Sequence, residues 1–106
     1  MTVNFFHGFQ MDKKVAEHAA EILKVMAHPI RLQIVELLQA KEMCVCDIVE
    51  ALTPKQTVTS QQLNMMKDKG VLNRRRDGTR VYYHIENKNV IKILHCINDR
   101  HKRKRD

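Results

Sequence analysis

From Asp12 onward the apolar positions of the chain keep a helical period. Val15, Ala19, Ile22, Leu23 and Met26 recur at i, i+4, i+7, i+8 and i+11, which puts them on one face of a helix. A second helix opens in "AHPIRLQIVELLQ". Pro29 suits its first turn, where a backbone donor would lack a partner anyway, and Ile30, Ile34, Leu37 and Leu38 give the apolar face. Val45, Ile48, Val49 and Leu52 keep the spacing for a short third helix, which "TPK" at 53–55 ends because Pro54 disfavours helix at Thr53. "QTVTSQQLNMMKDKG" predicts a fourth helix closed by Gly70, anchored by Leu63 and Met66. The period then drops to two. "VLNRRRDGTRVYYHI" predicts a hairpin turning at Asp77-Gly78, with Val81, Tyr83 and Ile85 alternating against Arg80, Tyr82 and His84. A last helix carries Val90, Ile93, Leu94 and Ile97 on one stripe, more apolar surface than one small core needs.

This order, three helices, a polar-fronted helix, a hairpin and a final helix, predicts a mainly α fold with a small β-hairpin, a winged helix-turn-helix. Residues 1–11 hold Phe5, Phe6 and Phe9 without a helical period and read as an arm. Residues 12–97 are expected to form one folded domain, and 98–106 a basic tail. The fourth helix is the informative one. Gln56, Thr57, Thr59, Ser60, Gln61 and Gln62 fill its first half, where a helix built for stability would carry Glu, Lys or Ala. In a helix-turn-helix that half lies in the major groove, where Gln can pair with adenine and Ser or Thr can meet several base edges. Arg74, Arg75, Arg76 and Arg80 on the hairpin would bind phosphates or enter the minor groove.

Charge strengthens this reading. The formal net charge is +7, concentrated in "NRRRDGTR" and "DRHKRKRD", which indicates a polyanionic partner. Either basic run alone would suit a solvated face, and the polar helix alone would suit exposure; together they favour DNA. No apolar run approaches the roughly 18 residues of a membrane span, and the start lacks a signal-peptide pattern. Three cysteines with no secretion signal point to reduced thiols and a cytoplasmic protein rather than to a disulfide framework.

Cys44 and Cys46 flank one valine in "KEMCVCDIVEAL". In a regular helix, residues two apart point in different directions; in an extended stretch they share a side. The pair lies where the chain enters the third helix, so partly extended backbone would let both sulfurs face one ligand. A helix start also favours thiolate over thiol, and a soft ion would suit such a pair. The plainer alternative, that each cysteine is a small buried hydrophobe, stays open on these grounds.

"EILKVMAHPIRLQIVELL", "EMCVCDIVEAL" and "TSQQLNMMKDKGVLNRRRDGTRVYYHI" together resemble the ArsR/SmtB family of metalloregulatory repressors over about residues 15–97. The resemblance implies a homodimer built on the first and last helices, bound to an inverted-repeat operator and released by an effector. "EMCVCDI" looks like the "ELCVCDL" segment of arsenic-responsive members, which implies that Cys44 and Cys46 bind arsenite or antimonite. Related cadmium and lead sensors use the same pair with further thiols. The third thiol of some arsenic-responsive members falls here at Val49, and the N-terminal arm offers only His7, so Cys96 is the remaining candidate. Zinc-sensing members carry Asp, His, His and Glu on the last helix; the matching positions are Asn87, Asn89, Arg100 and Arg103, and the zinc site is rejected. The expected mechanism is that ligation forces residues 44–46 out of helix and moves the reading helices out of register.

Other readings are a redox or reactive-sulfur repressor using a cysteine disulfide on the same fold, and an effector-independent DNA-binding protein. A thiol enzyme ranks last, because no nucleophile-base arrangement is evident. No organic cofactor is expected.

Overall fold

A computed structural model describes residues 11–52 and 56–105, and for 56–57 and 100–105 the backbone alone. The N-terminal arm and the "TPK" break therefore lie outside the described residues. Helix α1 spans Lys13–Met26 and is capped by Asp12, whose carboxylate accepts from the Val15 amide at 2.8 Å. Helix α2, Pro29–Leu38, starts with Pro29 in its first turn, and the Nδ1 of His28 accepts from the Ile30 amide at 3.3 Å. Strand β1 is Met43–Cys44, and it runs directly into helix α3, Val45–Ala51. Helix α4 covers Gln56–Asp68. Strands β2, Leu72–Asp77, and β3, Arg80–Ile85, form the wing, and helix α5 covers Asn89–Arg105.

The turn chemistry is local and specific. After α4, Gly70 takes φ +79; its amide donates to the Lys67 carbonyl and that of Val71 to the Met66 carbonyl, both at 3.0 Å. This is the Schellman ending that favours glycine. The wing register pairs Asp77 with Arg80, leaving Gly78-Thr79 as the loop, with φ +65 at Gly78. A first loop residue of positive φ matches the twist of the two strands.

The sequence predicts a hairpin, and the sheet has a third strand. β1 pairs antiparallel with β3, Met43 opposite Tyr83 and Cys44 opposite Tyr82, in the order β1-β3-β2. Two residues are too few for an alternating pattern to show. The last helix also runs to Arg105, through the segment expected to form a separate tail. Lys and Arg are good helix formers, so a charge run need not end a helix.

The core is one cluster, drawn from the end of α1, α2, α3, α4, the sheet and the start of α5. Ile34, Val35, Ile48, Leu63, Met66, Val71 and Val90 are fully buried within it. The stripe predicted for α1 divides. Ile22, Val25 and Met26 are buried, whereas Val15 is 51% and Leu23 53% exposed. Ile97 of α5 is 59% exposed and Met11 56%. Among the described residues no helix is long and apolar enough to cross a membrane.

Candidate nucleic-acid interface and thiol centre

The polar residues of α4 separate by helical angle. Thr59, Leu63 and Met66, at i, i+4 and i+7, face the core and are fully buried; the Thr59 hydroxyl has no hydrogen-bond partner among the described residues. Thr59 therefore cannot present itself to a base edge, a correction to its expected role. Residue type alone does not fix the angle at which a side chain leaves the helix. Gln62 points toward α2, where its Oε1 accepts from the Arg31 Nε at 2.7 Å, and Arg31 also donates to the Val25 carbonyl at 3.4 Å. That bond ties the reading helix α4 to α2.

Ser60 and Gln61 share the outer face with Asn64, which type-based selection missed although it lies one turn beyond both. These three line a groove of about 610 Å³ with Arg74, Tyr83, Val45 and Val81. The side chains of Gln56 and Thr57 lie outside the described set.

The four wing arginines have different partners. Arg74 donates from Nη1 to the Tyr83 hydroxyl at 3.2 Å, on the groove side. Arg76 is exposed opposite Val81. Arg75 is held on the other face: its Nε donates to both carboxylate oxygens of Glu42 at 3.1 and 3.0 Å, and its guanidinium lies 4.7 Å from the Tyr82 ring centre. The hydrogen bond from Arg75 holds the Glu42 carboxyl below its ordinary range. Arg80 stands beside the thiols.

Cys44 is buried and extended, φ −76 and ψ 158, as the residue capping α3, whereas Cys46 is exposed in its first turn. The Cys44 side chain makes no capping hydrogen bond; its extended backbone at the strand-to-helix junction lets its sulfur meet that of Cys46, which a regular helix would part. The two Sγ atoms are in direct contact. Convergence needs no unwinding of α3, contrary to the expected mechanism. The Asp47 carboxylate joins them, the three donor atoms all lying within 4.8 Å of one another. Thr79, Arg80, Val45 and Val81 complete a cavity of about 230 Å³ around the two cysteines.

The helix start was expected to favour thiolate at this pair. The Cys46 thiol is instead pushed up from its ordinary value, first by its hydrogen bond with Cys44, then by desolvation, the Cys44 charge and Asp47; Arg80 opposes them. Cys96 is exposed on α5 and is not part of the cluster. Two thiols and a carboxylate suit a thiophilic ion with room for one harder donor.

A family profile described as bacterial regulatory protein, arsR family, matches residues 28–74, from the start of α2 into the wing. The chain is similar to the transcriptional repressor PagR of Bacillus anthracis, 45% identical over 99 residues, covering 92% of this chain and 97% of that one. The crystal structure of PagR aligns with a TM-score of 0.73 at 41% identity, over 81% of this chain and 99% of that one. A homodimeric winged helix-turn-helix DNA-binding domain, Mb0332 of Mycobacterium bovis, aligns with a TM-score of 0.74 at 32% identity, over 89% of each chain. The cadmium resistance transcriptional regulatory protein CadC of Listeria innocua is 36% identical over 72 residues, 67% of this chain and 60% of that one.

Proposed function

Because this chain belongs to the arsR family of bacterial transcriptional regulators, and is thus no enzyme, we propose that it is a cytoplasmic repressor released from DNA by a soft ion bound at Cys44 and Cys46. The observation that carries this reading is the convergence of the two sulfurs in a cavity walled by the wing. Arsenite or antimonite fits a dithiol pair, and cadmium or lead fits it with Asp47 as the third donor in place of Cys96. CadC supports the soft-metal class, since its own name attaches it to cadmium resistance. The operator is an inverted repeat read by a homodimer. Exposed Met11, Val15, Leu23 and Ile97 on and beside α1 and α5 supply the apolar surface for a second copy, and Mb0332 offers a homodimeric precedent. Ser60, Gln61 and Asn64 meet base edges while Arg74 and Arg76 hold phosphates.

The test is release of operator DNA titrated with arsenite, antimonite, cadmium and lead under reductant. Native protein and Cys96→Ser should respond; Cys44→Ser and Cys46→Ser should bind DNA and ignore the ion. A normal response from both motif variants would reduce the pair to core packing. The same sulfur approach supports a second reading, in which peroxide removes two electrons from the thiols, giving a disulfide and two waters. Release by peroxide without any ion, reversed by reductant, would select it.

A further inference from the structure

The thiol cavity and the reading groove share a wall. Val45 and Val81 line both, and no other described residue of either lining does so. Val45 is the residue between the two cysteines, in the first turn of α3. Its backbone joins the two thiol-bearing residues, so any adjustment of the sulfurs around an ion reaches it directly. Val81 lies on β3 with Arg76 as its cross-strand partner, and its chain neighbour Arg80 stands in the thiol cavity. Both valines are partly buried and packed against the core. Branching at Cβ makes each stiff at χ1, so a push on one side is passed on rather than absorbed by a rotamer change.

We propose that Val45 and Val81 are positioning residues that relay ligation of Cys44 and Cys46 to the wing, so that the wing, rather than the spacing of the reading helices, is displaced first. The relay rests on the thiol-sensing reading above. Its output is the phosphate contact of Arg76 and of Arg74, which lies two residues before it on β2. Losing phosphate contacts releases DNA of any sequence, and it lowers the salt dependence of what binding remains. A shift in the spacing of two reading helices would instead spare non-operator DNA.

Val45→Ala, Val81→Ala and the double variant are compared with native protein, using arsenite as the probe under reductant. Arsenic–sulfur ultraviolet absorption reads ion binding, and fluorescence anisotropy reads affinity for operator and non-operator DNA over a salt series. In native protein arsenite should weaken DNA binding within the range of about 5–150-fold usual for coupled sites. It should lower affinity for both DNAs, and the salt slope should fall by about one or two. The alanine variants should bind arsenite and DNA nearly as native, yet lose most of the fold-change between the two states. Val45→Ile, which keeps the wall, should retain it. Undiminished release in both alanine variants would sink the relay, as would loss of their arsenite absorption, which would make the valines part of the ion site. Selective loss of operator affinity in native protein would return the mechanism to helix spacing. Absence of arsenite absorption in native protein would remove the sensing reading itself, a result distinct from all of these.

Discussion

Two side chains show how burial alters what residue type suggests. Thr59 has the chemistry of a base reader, yet it is fully buried and its hydroxyl is unpaired among the described residues. Removing an unsatisfied buried polar group while keeping its shape is neutral or favourable, so Thr59→Val should leave stability unchanged or raise it by about 1 kcal/mol. Operator preference should not change. A loss of preference, measured by binding to a set of single-base operator variants, would return Thr59 to the reading set. Cys46 differs in that its chemistry is expressed but restrained. Its thiol is pushed up chiefly by the hydrogen bond with Cys44, so at neutral pH it holds a proton that a metal ion must displace. Cadmium affinity should therefore increase with pH across the neutral range, by about tenfold per unit for each proton displaced. Competition against a metal indicator checks this. A flat profile would mean that neither thiol gives up a proton on binding.

Among the elements, β1 has two roles for its size. It carries Cys44 into the thiol cavity, and Glu42 just before it holds Arg75 of the wing against the Tyr82 ring. Glu42 thus competes with DNA phosphate for that arginine. Glu42→Gln should free it, strengthen binding to all sequences alike, and raise the salt slope by about one. If affinity and slope stay unchanged, Arg75 either already contacts phosphate or never reaches it. This strand is also where the sequence was least informative. Helices were legible because an apolar residue at every third or fourth position persists over several turns, as from Val15 to Met26, and the wing because Val81, Tyr83 and Ile85 alternate. Two extended residues leave no such trace, so the link between sensor and wing stayed hidden. The thiol pair was legible as a pair, and its entry into α3 suggested convergence. That Asp47 would complete the donor set depends on where one helical turn directs its carboxylate, which spacing alone left open. The end of α5 is hidden for a different reason: a run of charge resembles a tail, although Lys and Arg favour helix.

At the scale of the whole molecule, the apolar surface and the charge point to the same assembly. One chain offers a single reading helix and a single wing, and a lone module of this kind covers only about 600–1,000 Å² of protein surface on DNA. The +7 charge supplies attraction to any duplex, but discrimination needs a second half-site. Val15, Leu23 and Ile97 are each more than half exposed, on the two helices that no other described element covers along those faces. Pairing there would convert the second half-site contact into an intramolecular one. Leu23→Lys puts a charge in the middle of this surface while leaving Ile22, Val25 and Met26 in the core. It should sediment as a folded monomer and lose about 10²–10⁴-fold in operator affinity, the contribution of linkage between two sites. Non-operator affinity should fall far less, because each wing keeps its arginines. Ion binding should be unchanged, since Cys44, Cys46 and Asp47 all come from one chain. The variant therefore separates the three properties in one preparation. If Leu23→Lys remains a dimer, the interface lies elsewhere and the exposure of α1 needs another partner. If it becomes a monomer and loses ion binding as well, the thiol centre depends on the second copy.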